Sequence, residues 1–344
     1  MMSIKVIGID LGKSIFHLVA HDQFGKIEFR KKLSRQKLKE FLSNHPLTTI
    51  AFEACGGAHW LGRYCQQVGH RVKLIPPQYV RPYVKGNKND FIDADAIAEA
   101  SGRPSMRFVE VKSESAQVIN AIHRIRSAYI KERTACMSRI GALLLEFGMS
   151  LPKGHASMKR LFAWLATQRQ SLPPLLMDEL LSIHEHYTGL CTRIRQQDDK
   201  LLRLVADHPN GRLLKSIPSV GDMTASQCLA DLGSVKQFKN GRNLAAWLGL
   251  VPRQHSTGGK HTLLGISKRG NKHLRTLFIH GARAILSKPD KTGVPFGDWL
   301  IRLRKEKPFN VACVALANKL ARIAWAVLHY QQPFNAAMLH SESA

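Results

Sequence analysis

The chain opens on a short apolar run, Ile4-Lys-Val-Ile-Gly-Ile-Asp10, that ends in an acid. It continues into Ser14-Ile-Phe-His-Leu-Val-Ala20, whose alternation fits a second strand, with Gly12-Lys13 as the expected hairpin turn. A helix over 34–43, a strand at 48–53, a helix after Gly56-Gly57 and a strand at 71–75 follow, and this mixture predicts an α/β sheet. Beyond Asp90 the pattern turns helical, and Val118, Ile122, Ile125, Tyr129 and Ile130 recur near helical spacing within a long stretch over 115–147. Pro and Gly near 152–154 interrupt it, and a second helix over 175–207 is expected to return antiparallel, making a coiled arm. The segment 213–225 then predicts a short helix, a Pro/Gly turn and a second helix. That is a helix-hairpin-helix pattern, whose glycine would let backbone N–H groups approach a phosphate.

Composition adds a partner to this outline. The chain has 344 residues, 44% of them hydrophobic, enough for one or two sizeable cores. Against 51 Lys and Arg stand 25 Asp and Glu, a formal charge of +26 that calls for a polyanion, with nucleic acid the first candidate. The charge is also segregated: from Leu232 to Pro289 there is no acid, while Lys236, Lys239, Arg242, Arg253, Lys260, Lys268, Arg269, Lys272, Arg275, Arg283 and Lys288 occur. The six cysteines show no CxxC pair and lie among apolar residues, so buried, reduced thiols of a cytoplasmic protein are expected. No apolar run approaches the roughly 20 residues that span a bilayer, so no membrane location is expected.

Acids are scarce enough that their placement matters. Asp10 closes one predicted strand and Glu53 another, while Asp90 and Asp93 lie three apart at a helix start, on one helical face. Neighbouring strands would bring all four to one end of the sheet. Such a cluster repels itself unless a cation joins it, and hard oxygen ligands with phosphate chemistry favour Mg²⁺. Asp95 lies in the same turn, and spacing alone leaves it open as the fourth ligand. Ile-Gly-Ile-Asp followed by Gly-Lys is also the usual opening of a ribonuclease-H-like sheet.

Within the acid-free block stands Leu248-Gly-Leu-Val-Pro-Arg-Gln-His-Ser-Thr-Gly-Gly-Lys260, followed by Gly265-Ile-Ser-Lys-Arg-Gly-Asn-Lys-His-Leu-Arg275. A hydroxyl beside two glycines sits on backbone that can approach a substrate closely. Ser256 is therefore a candidate nucleophile toward a phosphodiester, or a ligand that only hydrogen-bonds the phosphate. Arg253, Lys260, Lys268, Arg269, Lys272 and Arg275 are candidate nucleic-acid contacts that would balance charge on the phosphoryl oxygens.

The pairing of Gly-Ile-Asp10 with Ala245-Ala-Trp-Leu-Gly-Leu-Val-Pro252, Ser256-Thr-Gly-Gly259 and Ser267-Lys-Arg-Gly-Asn271 strongly resembles the IS110 transposases of bacterial insertion sequences, and within them the IS1111 branch. The resemblance covers nearly the whole chain. It implies a Holliday-junction-resolvase-like domain whose Asp-Glu-Asp-Asp set falls on Asp10, Glu53, Asp90 and Asp93, the last two matching Lys-x-Asp-x-x-Asp-Ala as Lys88–Ala94. It also implies a nucleophilic serine at Ser256, although many relatives read Ser-Ser-Gly where this chain has Ser256-Thr257-Gly258. The organisation expected is α/β plus all-α: a ribonuclease-H-like catalytic domain over 1–110, a helical arm over 111–208, a mostly helical serine domain with the helix-hairpin-helix over 209–335, and a tail over 336–344. The implied activity is DNA cutting and rejoining through a phosphoserine, assisted by Mg²⁺ on the carboxylates of another subunit and directed by a noncoding RNA from the element's own end. The implied partners are element-junction and target DNA, that RNA, and further copies of the chain as a dimer, with two dimers exchanging four strands. The competing reading is a metal-dependent nuclease or junction resolvase in which water attacks and no covalent intermediate forms.

Overall fold

A computed structural model of the chain describes residues 4–87, 89–150, 152, 154–167, 172–287 and 296–336. Lys88 of the acidic motif, Lys153 of the expected break, Lys288 and Pro289 at the end of the basic block, and residues 337–344 of the expected tail lie outside the described residues. The chain divides into two compact units, residues 1–114 and 115–344, so the expected arm and the expected serine domain share the second unit.

The first unit is built on a five-stranded sheet of order β3-β2-β1-β4-β5. Its strands are β1 (Val6–Leu11), β2 (Ile15–His21), β3 (Ile27–Ser34), β4 (Thr49–Glu53) and β5 (Arg71–Ile75). The pairs β1–β2 and β2–β3 are antiparallel, whereas β1–β4 and β4–β5 are parallel. Helices α1 (Arg35–Asn44) and α2 (Ala58–Gln67) bury Leu38, Leu42, Ala58 and Leu61 against Ile7, Ile9, Ile50 and Phe52. After α3 (Pro77–Val80), helix α4 (Asp90–Ser101) takes the opposite face, packing Ala96, Ala98 and Ala100 in one core with Val6 and Ala51. Because side chains alternate along a strand, Val6, Gly8 and Asp10 of β1, and Ala51 and Glu53 of β4, all belong to the α4 face.

Two features depart from the expected strand plan. β3 is an edge strand in which Arg30, Lys31 and Lys32 are exposed, so its sequence carries no clear apolar alternation. The β1–β2 turn is longer than Gly12-Lys13: the last paired residues are Leu11 and Phe16, which places His17, rather than Ile15, opposite Asp10.

The second unit starts with an antiparallel helical hairpin, α5 (Glu114–Glu146) and α7 (Pro174–Asp207), with α6 (His155–Thr167) between them in sequence. Ile119 meets Leu201 near one end of the hairpin, and Cys136 and Ile140 share a core with Leu180 and Leu190 further along. After the hairpin come α8 (Pro209–Lys215), α9 (Asp222–Leu232), α10 (Gly241–Trp247), the two-stranded β6 (Pro252–Thr257) and β7 (Lys260–Ile266), α11 (Lys272–Leu286) and α12 (Gly297–Glu306). Helices α8, α10, α11 and α12 pack against α13 (Phe309–Tyr330), whose Leu316, Ala317, Leu320, Ala321 and Ala324 are buried in the main core. By length and composition α13 could cross a membrane, which corrects the expectation that no segment is long and apolar enough. Its buried face shows what the apolar residues do here. All six cysteines are free, but only four are buried as expected: Cys191 is half-buried, and Cys55, two residues past β4, is exposed.

A polar group sits inside this second core. His123 of α5 is 4% exposed, and its Nε2 lies 3.0 Å from the Ser226 hydroxyl, which itself donates to the Asp222 carbonyl. Burial first, then His273 and Arg126, lowers the His123 pKa to about 4, while Asp231 and Asp198 oppose that shift. A depressed histidine contributes stability that is fully present above its unfolded value and lost as pH falls toward the folded one. Acidification from pH 7 to pH 5 is therefore expected to cost on the order of 2 kcal/mol at this residue alone, read as a lower urea midpoint. His123→Gln should remove that part of the slope, and an unchanged slope would contradict the assignment.

Candidate functional site

The carboxylates occupy one end of the first unit's sheet. Asn89 caps α4, its Oδ1 accepting the Phe91 N–H at 2.9 Å, so Asp90 and Asp93 enter the first helical turn. Gly8 lets that helix lie directly on β1: a Cβ there would come within 2.2 Å of the Ala94 carbonyl oxygen and 2.9 Å of the Ala98 Cβ. The glycine of Gly-Ile-Asp thus sets the distance at which α4 presents its acids to Asp10.

The charges feel one another. The Asp10 carboxyl is raised by burial, then by Asp93 and Asp90, against a lowering from His17. Glu53 is raised by burial, then by Asp10 and Asp93. Ligand atoms of Asp10, His17 and Asp90 lie within 4.8 Å of one another, and His17 Nδ1 is 3.4 Å from Asp90 Oδ2. The Phe91 ring packs edge-on against the His17 ring, with centroids 4.8 Å apart. Asp95 stands apart from this set: its Oδ1 is 2.6 Å from His21 Nε2. The Asp10 and Asp90 carboxylates and the His17 imidazole, with Glu53 and Asp93 close enough for their charge to act on Asp10 or on each other, form a donor set suited to a divalent cation. The sequence pattern gives no sign of His17, because its position depends on hairpin register.

The serine segment is a β-hairpin. Ser256 pairs with His261 and Thr257 with Lys260, leaving Gly258-Gly259 as a two-residue turn with φ of +53° and +77°. Two consecutive positive φ values make the hairpin turn that glycine adopts without strain, so the glycines shape the tip. Every residue of β6 is exposed. Ser256 Oγ accepts a hydrogen bond from Gln254 Nε2 at 2.8 Å and lies 3.2 Å from His261 Nδ1. Strand alternation places Thr257 on the other face of the hairpin.

The base of the hairpin is pinned where two motifs cross. The Ser267 N–H donates to the Val251 carbonyl at 2.8 Å and the Lys268 N–H to that of Gly249 at 3.2 Å. Gly249 has φ +72° and Gly270 φ +76°. A Cβ on Gly270 would fall 1.8 Å from the Trp247 carbonyl oxygen. Gly270→Ala is accordingly expected to cost roughly 3 kcal/mol or more in urea unfolding, because it combines left-handed strain with overpacking. Gly258→Ala, with open space around it, should cost only about 1–2 kcal/mol from its φ. Equal costs would show that the crossing is not tight.

The basic candidates separate into two kinds. Arg253, Lys260, Lys268, Arg269 and Lys272 are exposed on the hairpin and its flanks. Arg275 is a correction: it is 7% exposed, and its Nη1 donates to the carbonyls of Leu248 at 2.8 Å and Arg269 at 3.0 Å. It ties the two crossing motifs together rather than facing a phosphate. Asn271 works beside it, accepting the Leu274 N–H at 3.0 Å to cap α11 while its amide donates to Asp231. Earlier in the unit, α8 and α9 flank a turn in which Ser219 has φ +65°, and a Cβ on Gly221 would meet no atom within 4 Å.

Comparison with known proteins follows the same two parts. A family model described as "Transposase IS116/IS110/IS902 family" matches residues 211–293, and a DEDD_Tnp_IS110 transposase model matches residues 7–149. The chain is 45% identical over 327 residues to the transposase for insertion sequence element IS1328 of Yersinia enterocolitica, covering 95% of this chain and 97% of that protein. It is 40% identical to the transposase for insertion sequence element IS1111A of Coxiella burnetii, over 97% and 92% of the two chains. A more distant likeness, 23% identity over 97% and 98%, links it to a pilin gene-inverting protein of Moraxella bovis.

Proposed function

The chain belongs to the IS116/IS110/IS902 family of transposases, enzymes that cut and rejoin DNA, and on that premise we propose that it does so through Ser256, with Asp10, Glu53, Asp90 and Asp93 holding Mg²⁺. The observation that carries this reading is the exposed Ser256 hydroxyl on a glycine-turned hairpin within a stretch of chain, Leu232–Pro289, that has no acid. Ser256 Oγ attacks phosphorus, an Oγ–P bond forms, the sugar O–P bond breaks, and a free sugar hydroxyl is left for strand exchange. Asp10, Glu53, Asp90 and Asp93 of another subunit would hold the divalent ion, which would supply Lewis-acid stabilisation of phosphoryl charge when bound. His17 orients Asp90 through its Nδ1. Arg253, Lys260, Lys268, Arg269 and Lys272 hold the DNA backbone, and the open turn at Gly221 serves as a helix-hairpin-helix phosphate contact.

The same reading assigns residues 1–110 to the carboxylate chemistry, 111–208 to a dimerising arm and 209–335 to the serine chemistry. A noncoding RNA from the element's end selects the DNA, and two dimers exchange four strands. The test is a denaturing gel of labelled element-junction DNA incubated with purified protein, that RNA and Mg²⁺. A slow protein–DNA band is the expected result. Cleaved ends with no such band would replace the serine by water and make the protein a metal-dependent nuclease.

A further inference from the structure

Beside the serine lie two groups that its proposed role leaves unused. Gln254 and Ser256 are two apart on β6 and share a face, and His261 of β7 is the direct partner of Ser256. Gln254 Nε2 is 2.8 Å from Ser256 Oγ and 3.3 Å from His261 Nδ1, and Ser256 Oγ is 3.2 Å from that same nitrogen. An amide N–H can only donate, so Nδ1 receives a hydrogen bond and carries a lone pair, with the ring proton on Nε2. The serine oxygen takes the other amide hydrogen, and its own hydrogen shares the single Nδ1 lone pair with the Gln254 amide.

We propose that His261 is the general base for Ser256, and that Gln254 holds the serine oxygen in place and shares its developing negative charge. This rests on the reading of Ser256 as the nucleophile. As Oγ bonds to phosphorus, the hydroxyl proton passes to His261 Nδ1, and the Gln254 amide keeps its bond to the oxygen. The P–O bond to the sugar breaks on the far side, and that oxygen takes a proton from solvent. The imidazolium returns its proton to solvent, because an in-line displacement keeps the leaving oxygen out of its reach. A serine hydroxyl is a weak nucleophile at neutral pH, and a positioned base typically supplies about 10²–10⁴-fold. The hairpin suits this chemistry, since its two strands fix the pair by register and the glycine turn leaves the cluster open to a DNA backbone.

The experiment measures the rate of covalent capture of labelled element-junction DNA, with the element's RNA and Mg²⁺, for wild type, His261→Ala, Gln254→Ala and Ser256→Ala, alongside DNA affinity by fluorescence anisotropy. His261→Ala is expected to lower the capture rate about a hundredfold or more with affinity within threefold of wild type. Added imidazole should restore part of that rate in His261→Ala and none in Ser256→Ala. Gln254→Ala should lower the rate by about tenfold without imidazole rescue. A His261→Ala rate within threefold of wild type, or a loss that imidazole does not restore at all, overturns the proposal while Ser256 keeps its role. Capture that persists in Ser256→Ala, or fails in wild type, overturns the serine reading and this proposal with it.

Discussion

Asp10→Asn is expected to lower DNA cleavage by roughly a thousandfold, the loss of several kcal/mol of charge stabilisation at the reacting phosphate. DNA affinity should change little, since the exposed lysines and arginines of the second unit are untouched. The same substitution should stabilise the metal-free protein. Asp10 and Glu53 hold their protons more tightly in the fold than outside it, because burial and neighbouring acids disfavour the charged form. A raised carboxyl gives stability that is complete below the ordinary carboxylate range and is lost as pH rises through the raised value. At neutral pH the cluster therefore works against the fold until a cation joins it. Removing one charge should raise the metal-free melting temperature by about 2–5 °C and abolish the further rise that Mg²⁺ gives to wild type. A lower melting temperature with an intact Mg²⁺ response would show that Asp10 is a structural residue.

Ser256→Ala is expected to abolish covalent capture of DNA, by at least roughly a thousandfold, because alanine has no atom to bond to phosphorus. The fold should be unaffected, within about 0.5 kcal/mol, since every residue of β6 is exposed. Thr257→Ala is the informative companion. Thr257 carries a hydroxyl one residue away but pairs with Lys260 on the opposite face of the hairpin, away from Gln254 and His261. Its loss should leave capture within about tenfold of wild type, an effect of the size that phosphate contacts produce. The reverse ranking would move the nucleophile to Thr257.

The sequence makes parts of this architecture readable and hides others for physical reasons. The apolar runs of β1 and β4 lead into acids, so Asp10, next to the last residue of β1, and Glu53, the last of β4, are visible near strand ends, and Asp90 and Asp93 as a helical pair. β3 is hidden because an edge strand with one solvated face can carry Arg30, Lys31 and Lys32 in a row. His17 is hidden because only the longer β1–β2 turn brings it opposite Asp10, and turn length depends on packing that a Gly-Lys pair does not encode. Asp95 is equivalent to Asp93 by spacing, yet His21, on the same strand as His17, engages it elsewhere. Arg275 resembles its basic neighbours in sequence, and only its burial beneath two crossing loops sets it apart. The serine hairpin itself has no hydrophobic alternation to betray it, since both strands are almost wholly exposed. What remains legible there is the glycine pair, whose positive φ values shape the turn.

The central claim is that Ser256 becomes covalently joined to DNA. The most direct measurement is to capture the protein on element-junction DNA, digest both polymers, and locate the remaining nucleotide on the peptides by mass spectrometry. The account predicts one nucleotide-bearing peptide, containing Ser256, with the added mass on that side chain through a phosphate. A nucleotide on any other residue, or cleaved DNA with every peptide unmodified, would contradict it.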